Sequence, residues 1–249
     1  MKTVKVRDLI LGDGNPKVCI PLTGRNTEEI EEQLEKIFQA PFDLLEWRAD
    51  YFEDIQKPGC MEKILELLRE RLGEKPLLFT FRTKAEGGEQ DISEEGYVTV
   101  CVLAAVSRMA DLIDVEINRG EILLKALADQ IHALGCKVIA SCHDFKQTPS
   151  KEDLIAVILR MQELGADITK YAVMPQKEQD VLDLLQASLD LKLQYADRPF
   201  ITMSMSRLGS VSRLAGSLTG SALTFAAAGK TSAPGQLEAQ TLSAILRQL

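Results

Sequence analysis

The chain has 249 residues, of which 45% are hydrophobic, and its formal net charge at pH 7 is −8. This length and hydrophobic content allow a substantial core, in one large domain or two small ones. The acidic balance is unfavourable for binding nucleic acid or an anionic membrane, so we expect neither as a partner. An anionic substrate would have to meet a local cluster of arginines.

The five cysteines are odd in number, widely spaced and without a C-x-x-C pair. This pattern predicts reduced thiols rather than a disulfide framework or a zinc site, and we expect a cytoplasmic protein. The first residues, MKTVKVRDLI, lack the continuous apolar run of a signal peptide. The longest uncharged stretch, Leu214 to Gly229, is too short and too weakly apolar to predict a membrane span.

Predicted elements begin with two extended runs around Gly12-Asp13-Gly14, which indicate a β-hairpin within residues 1–16. Eight strand candidates follow: Lys17–Leu22, Phe42–Arg48, Leu77–Arg82, Asp111–Ile117, Lys137–Cys142, Ile168–Met174, Phe200–Met205 and Ser221–Ala226. Apolar residues at three-and-four spacing predict helices between them, such as Thr27–Phe38, Met61–Leu72, Gly120–Leu134, Ser150–Leu164 and Glu178–Leu193.

This strict alternation of strands and helices predicts a (β/α)8 barrel, the TIM barrel, as a single domain over residues 1–249. The N-terminal hairpin would close the bottom of the barrel. A doubly wound open sheet is the alternative, although no G-x-G-x-x-G motif follows the first strand.

Lys170 lies inside the sixth strand candidate, in the run ADITKYAVMP. A buried amine loses the hydration that favours its charged form, and a neutral amine is a nucleophile that forms imines with ketones and aldehydes. The alternative is a lysine at a strand end whose ammonium reaches solvent.

Barrel enzymes carry catalytic groups at the carboxyl ends of their strands, and polar residues collect there in this sequence. They are Glu46 and Arg48, Arg82 and Glu86, Asp114 and Glu116, His143, and Arg207 and Arg213. His143 suits acid–base work, whereas His132 lies mid-helix and is predicted to be a helix-face residue. Asp114, Glu116 and Arg207 would equally fit structural ion-pair networks.

Two further segments near the last strands are candidates for binding. Residues 229–236 suit a lid that closes over a substrate, with Ser232 and Gln236 as donors. Met203 and Met205 would be core filler or pocket lining. A lysine, a histidine and several arginines fit an anionic ketone, but placement alone does not choose between aldol cleavage, isomerisation and elimination.

Five strings resemble one family, the type I 3-dehydroquinate dehydratases, and span almost the whole chain in the family's order. They are EWRADYF (46–52), LLFTFRTKAEGGE (77–89), SCHDF (141–145), MQELGADITKYAVMP (161–175), and ITMSM, SRLAG and GSALTFAAAGKTSAPGQ within 201–236. The segment 206–211 departs from the pattern, as does Pro21 after the first strand, which leaves substrate contacts near that strand open.

The resemblance implies a dimeric (β/α)8 enzyme without metal or organic cofactor. Its reaction is the reversible syn loss of water from 3-dehydroquinate to give 3-dehydroshikimate, the third step of the shikimate pathway to chorismate. Lys170 would form the imine (Schiff base), and His143 would take the proton and supply one to the departing hydroxyl, with Glu86 orienting its ring.

The resemblance also implies a set of binding residues. Glu46, Arg48 and Arg82 would contact the ring hydroxyls, Arg213 the carboxylate, and Ser232 and Gln236 would belong to the closing loop; Phe145, Met203, Met205, Phe225 and Ala233 would be apolar walls. A class I aldolase or transaldolase is the alternative, because it would use the same lysine on the same fold. Such enzymes usually need a phosphate cradle after strands seven and eight, and Arg213 without a glycine-rich nest favours a carboxylate.

Overall fold

The structure, a computed structural model, describes residues 2–229 and 231–249. Met1, which belongs to the predicted hairpin segment and domain, and Lys230, which belongs to the predicted lid, lie outside the described residues.

Parallel strands form the centre of the molecule. The strands are β1 (Val4–Val6), β2 (Leu9–Leu11), β3 (Lys17–Leu22), β4 (Leu44–Arg48), β5 (Leu77–Thr80), β6 (Leu112–Glu116), β7 (Lys137–Asp144), β8 (Ile168–Val173), β9 (Phe200–Ser204), β10 (Leu223–Ala227) and β11 (Leu237–Glu238). Each strand from β3 to β9 pairs in parallel with the next in that series, and β10 pairs with β3 and with the short β11. The predicted (β/α)8 barrel is confirmed.

The barrel closes between β9 and β10 through a short contact rather than a full ladder. Phe200 and Ser221 form an isolated parallel bridge, and the Ala222 N–H donates to the Phe200 carbonyl at 2.8 Å. The Ser221 hydroxyl also accepts a hydrogen bond from the Thr202 N–H at 3.2 Å. A side chain therefore takes the place of a backbone acceptor at the seam.

Helices surround the barrel. They are α1 (Thr27–Ile37), α2 (Cys60–Leu72), α3 (Glu94–Val106), α4 (Glu121–Ala133), α5 (Lys151–Glu163), α6 (Glu178–Asp190), α7 (Gly216–Thr219) and α8 (Ala239–Leu246). Helix α3 was not among the helices named from the sequence, because its run YVTVCVLAAV (97–106) is apolar on most sides and shows little periodicity. Among the described residues, no helix is both long and apolar enough to cross a membrane.

The barrel interior has an apolar lower half. Inward-facing side chains of successive strands meet there, because alternate residues of a strand point to the same side. They are Cys19, Leu44, Leu78, Leu112, Ile139, Ile168, Ile201 and Leu223. Val6 and Leu11 of the hairpin pack into the same cluster from below. The hairpin therefore closes the bottom of the barrel, as predicted.

The turn of the hairpin differs from the sequence prediction. β1 and β2 pair antiparallel with Val6 opposite Leu9, so the turn is Arg7-Asp8, and Arg7 has a φ of 51°. The Gly12-Asp13-Gly14 run instead leads from β2 to β3. Gly12 has a φ of +87°, and a Cβ there would lie 2.6 Å from Cγ of Pro199. The glycine is therefore required by close packing rather than by the hairpin turn.

Candidate active site

A cavity opens at the carboxyl ends of the barrel strands. It is lined by Glu46, Arg48, Arg82, Glu86, Gly87, His143, Phe145, Lys170, Ala172, Met203, Met205, Arg213, Phe225, Ser232, Ala233 and Gln236. The structure thus brings together all the catalytic, binding and wall residues that the family resemblance implied, and it adds Gly87 and Ala172. The other polar candidates, Asp114, Glu116 and Arg207, do not line the cavity. Strand order produces this convergence, since parallel strands of a barrel end on one face.

Lys170 lies in the middle of β8 with 5% of its surface exposed. Its Nζ is 3.7 Å from Oε1 of Glu46 and 4.0 Å from Oδ2 of Asp114, and it lies 4.3 Å from the centre of the Phe225 ring. Two carboxylates and an aromatic face can stabilise a positive charge at this nitrogen. A protonated imine on Lys170 would carry its charge in the same place.

His143 ends β7 one strand away, and its Nδ1 lies 2.8 Å from Oε2 of Glu86. Burial lowers the pKa of His143 well below its ordinary value. Neighbouring positive charges lower it further; they belong to Arg82, Lys170 and Arg48. The imidazole by itself is therefore neutral near pH 7.

The pKa of the Glu86 carboxyl group is also shifted from its ordinary value. Burial raises the pKa of Glu86 to about 8, against the opposing effect of Arg82. The negative charges of Glu116 and Asp114 add to the rise. The carboxyl of Glu86 and the ring of His143 therefore hold one acidic proton between them until the pH approaches 8.

Arg82 is the centre of a buried ion-pair network rather than a free cation. It donates to Asp114 Oδ2 and Glu116 Oε1, both at 2.8 Å, and to Ser141 Oγ at 2.9 Å. The Ser141 hydroxyl donates a hydrogen bond to Asp114 Oδ1 at 2.6 Å. Asp114 and Glu116 thus take the structural role that was one of the two interpretations of their sequence pattern.

Two residues of β4 reach the cavity with their orientation fixed by neighbours. Arg48 forms a two-pronged pair with Asp50, with both N···O distances 2.7 Å, and its guanidinium lies 5.0 Å from the Tyr51 ring centre. Glu46 accepts a hydrogen bond from the Thr80 hydroxyl at 2.9 Å. Asp50 was missed from the sequence, although its place two residues after Arg48 was a usable signal.

Arg213 is 2% exposed, and no carboxylate of the described residues lies within ion-pairing distance of it. Its Nη2 donates to the Pro234 carbonyl at 2.9 Å and its Nη1 to the Phe225 carbonyl at 3.5 Å, while Nε has no hydrogen-bond partner among the described residues. Burial lowers the pKa of Arg213 to about 10. A buried cation without an acid partner is the expected counterpart of a bound anion.

Residues 231–236, which belong to the predicted lid, follow β10 and contribute Ser232, Ala233 and Gln236 to the lining of the cavity. Ser232 and Gln236 bind each other: the Ser232 N–H donates to Gln236 Oε1 at 2.8 Å, and Gln236 Nε2 donates to Ser232 Oγ at 2.9 Å. Gly235 has a φ of +78°, and a Cβ there would lie 2.1 Å from the Ser206 carbonyl oxygen. The lid therefore packs closely on the segment after β9.

The two lining residues absent from the sequence prediction are small. Gly87 has a φ of +82°, and a Cβ there would come within 2.4 Å of the Phe145 ring. Ala172 follows Lys170 by two positions on β8, so alternation places both on the inner face. That spacing was a signal for Ala172, whereas the contact between Gly87 and Phe145 joins segments far apart in the sequence.

Comparison with known proteins gives the same answer as the site. The family model described as type I 3-dehydroquinase matches residues 18–249. The chain belongs to this family. A 3-dehydroquinate dehydratase of Syntrophotalea carbinolica is 48% identical over 249 residues, covering 100% of this chain and 98% of the relative.

Solved structures of family members share the fold over nearly the full length. The type I 3-dehydroquinate dehydratase of Clostridium difficile, crystallised with covalent modified comenic acid, is 43% identical with a TM-score of 0.95, and the match covers 99% of this chain and 97% of the other. The 3-dehydroquinate dehydratase of Geobacillus kaustophilus is 36% identical with a TM-score of 0.96, covering 100% and 96%.

Proposed function

We propose that this type I 3-dehydroquinase family member catalyses the reversible dehydration of 3-dehydroquinate to 3-dehydroshikimate through an imine on Lys170. The observation that carries the proposal is the convergence of a buried amine, a histidine–carboxyl pair and a buried unpaired arginine on one cavity. The first can attack a ketone, the second can move a proton, and the third can bind a carboxylate.

The reaction begins at Lys170. Its neutral amine attacks the ring ketone, and loss of water from the adduct gives an imine, which is protonated at nitrogen. The carboxylates of Glu46 and Asp114, at 3.7 and 4.0 Å from Nζ, stabilise that cation. The protonated imine draws electrons and so acidifies the neighbouring C–H.

His143 then takes the proton from that carbon. With Nδ1 facing Glu86 at 2.8 Å, its Nε2 is the nitrogen left to meet the substrate. The electron pair of the broken C–H bond forms an enamine, whose collapse expels the hydroxyl group as His143 returns the proton. One base serving both steps agrees with loss of both groups from the same face of the ring. Hydrolysis of the imine releases the product.

Arg213 supplies a contact for the carboxylate of the substrate. A planar guanidinium matches a carboxylate with two parallel hydrogen bonds, and this one lacks an acid partner among the described residues. The walls of the cavity beside it are apolar, with Met203 Sδ 3.9 Å from Nη1. The family comparison likewise favours the dehydratase over a class I aldolase or transaldolase.

Borohydride trapping tests the imine. Treatment of the protein with borohydride and 3-dehydroquinate should abolish activity and leave a stable adduct on Lys170, detected by peptide mass. Lys170→Met, a control of similar length without an amine, should show neither activity nor adduct. Full activity and no added mass in the unmodified protein would contradict the proposal.

The role of His143 is tested separately. His143→Ala should still form the trapped adduct while losing at least ~10²-fold in kcat, the lower end of what a positioned acid–base group contributes. His132→Ala is the matched control, because His132 lies on α4 and pairs with Asp167 away from the cavity. Normal turnover by His143→Ala would remove it from the mechanism.

We also propose that the protein is a cytoplasmic homodimer that needs no metal or organic cofactor. Support for a second copy comes from exposed apolar side chains on α6, on α7 and on the turns beside them, which are neighbouring elements of the fold. These side chains are Leu182, Leu193, Tyr195, Leu208, Val211 and Leu218. Leu218, 68% exposed, is the test position. Leu218→Glu should shift the sedimenting species from dimer to monomer, whereas Ile122→Glu on α4 should not.

A further inference from the structure

We propose that Glu116, acting through Thr83, is a positioning residue that fixes Glu86 against His143. The inference rests on the proposed dehydration and adds a residue that touches neither the substrate nor the reacting atoms. Neither Glu116 nor Thr83 lines the cavity.

Glu86 is carried by a short turn, not by a strand. It ends the 3₁₀-helical turn Lys84–Glu86, whose first carbonyl acceptor belongs to Thr83. The N–H groups of Glu86 and Gly88 both donate to the Thr83 carbonyl, at 3.0 and 2.9 Å. The position of Glu86 in the cavity therefore depends on the position of the Thr83 backbone.

Thr83 is held by a carboxylate from the neighbouring strand. Its N–H donates to Glu116 Oε1 at 2.8 Å, and its hydroxyl donates to Glu116 Oε2 at 2.6 Å. Glu116 ends β6, is 1% exposed, and its own N–H donates to the Tyr97 hydroxyl at 2.9 Å. Two charge-assisted hydrogen bonds, which Thr83 donates to a carboxylate anchored in the barrel, fix the start of the turn.

Glu116 also acts on the charge at Glu86 through Arg82. Nη1 of Arg82 donates to Glu116 Oε1 at 2.8 Å and lies 3.6 Å from Glu86 Oε2. The charged and titratable groups facing Glu86 are Arg82, Asp114, Glu116, Cys142 and His143. The negative charge of Glu116 offsets the positive charge of Arg82. Glu116 therefore helps Glu86 to keep, up to about pH 8, the proton that Glu86 shares with His143.

The active form of the pair follows from its geometry. His143 can take a carbon-bound proton only when Nε2 is unprotonated, so Nδ1–H must donate to an ionised Glu86. Activity should rise with pH as the pair loses its shared proton. Glu116 thus sets both the position of the carboxylate and the pH at which the pair becomes competent.

Substitutions at Thr83 test the positional step. Thr83→Val keeps the shape and loses the hydroxyl bond, so kcat should fall by roughly 10-fold, part of the 10²–10⁴-fold that acid–base groups contribute, with KM within ~2-fold. Borohydride trapping on Lys170 should proceed as in the unsubstituted protein, and Thr83→Ser should restore kcat. Thr219→Val is the matched control, since the buried hydroxyl of Thr219, the last residue of α7, donates to the Ala215 carbonyl.

The charge step is tested by Glu116→Gln. With Arg82 less compensated, the pKa of Glu86 should fall, and the rising limb of kcat/KM against pH should move to lower pH. Asp111→Asn is the control, because Asp111 is a partly buried acid paired with Arg7 and Arg69 at the other end of the barrel. It should lower the melting temperature without moving the limb.

Failure of the inference is distinguishable from failure of the dehydration itself. If the unsubstituted protein does not turn over 3-dehydroquinate, the proposed function is wrong and the inference with it. If it does, while Thr83→Val keeps full kcat or Glu116→Gln leaves the limb in place, Glu116 is only structural and the inference is overturned.

Discussion

Arg213 is a residue whose burial lowers the stability of the free protein. Burial of a guanidinium without an acid partner costs solvation energy, which two backbone carbonyls offset only in part. The lowered pKa of Arg213 records that cost. A bound carboxylate would offset that solvation cost, so the unfavourable burial of Arg213 in the free protein would favour the binding of an anion.

Arg213→Met should therefore separate binding from stability. We expect KM for 3-dehydroquinate to rise by roughly 10–100-fold, the loss of about 1.5–3 kcal/mol of charged hydrogen bonding, while the melting temperature stays at or above that of the unsubstituted protein. Steady-state kinetics and thermal unfolding measure the two effects. Arg207→Met is the control, because Arg207 is exposed in the same segment. An unchanged KM would remove Arg213 from substrate binding.

The burial of Glu86 also affects the stability of the protein, and this effect depends on pH. Its pKa is about 8 in the folded protein against an ordinary 4.5, so the folded state binds a proton that the unfolded state has already released. Stability from this group is therefore present below about pH 4.5 and is lost as the pH rises toward 8.

Glu86→Gln should remove that loss. We expect its melting temperature to exceed that of the unsubstituted protein by at least ~3 °C at pH 8, the effect of about 1 kcal/mol in a chain of this size, and the gap to narrow toward pH 5. Thermal unfolding across this range measures it. Glu66→Gln on the exposed side of α2 should give no pH-dependent gap. A gap independent of pH would contradict the raised pKa.

At the scale of elements, the position of the lid depends on its contacts with β10 and with the segment that follows β9. It is attached at one end by the pairing of β11 with β10 and in its middle by the Pro234 carbonyl on Arg213. Gly235 lets it approach the Ser206 carbonyl, where any side chain would collide. The closed position is therefore set by a backbone contact as well as by the pair Ser232 and Gln236.

Gly235→Ala tests that contact. The added methyl should force the lid away from Ser206 and raise KM by roughly 10-fold, since misplacement of about 1 Å is enough to weaken a positioned site. Gly229→Ala is a matched control: Gly229 also has a positive φ, 87°, but among the described residues no atom outside its chain neighbours lies within 4 Å of the added Cβ. The kinetics should differ between the two variants. Equal KM values would mean that backbone strain, not the contact, matters.

At the scale of the whole molecule, the two ends of the barrel have separate tasks. The bottom is filled by Leu11 and Val6 within an apolar cluster, and the charged site occupies the top. Barrel enzymes in general place stability at one end and chemistry at the other.

Leu11→Ala should therefore destabilise without affecting catalysis. Leu11 is fully buried, so we expect a loss of about 2–5 kcal/mol in the free energy of unfolding with kcat unchanged. Denaturant unfolding and steady-state kinetics measure both. Ile10→Ala is the control, since its neighbour Ile10 is 43% exposed. A lower kcat in folded Leu11→Ala would show that the two ends are coupled.

The sequence determined the barrel and predicted most of the residues that line its cavity. Alternating strands and helices left one economical architecture, and period-two alternation placed Lys170, Glu46 and Arg48 on the inner face. Local patterns of this kind act over a few residues, so they are readable from one chain. Helix α3 escaped because its apolar surface runs all round, and the Gly12-Asp13-Gly14 run misplaced the hairpin turn because glycine also serves close packing.

Only the tertiary structure decided what each charge meets. The sequence offered Arg82 as a substrate contact and Asp114 and Glu116 as alternatives, and the fold joined the three into a network that surrounds Glu86. It left Arg213 without such a partner. Coulomb energies depend on distance and burial, and these are set by strands that lie far apart in the chain. The chain therefore states which groups are present, and the fold decides which are neutralised and which stay available for a substrate.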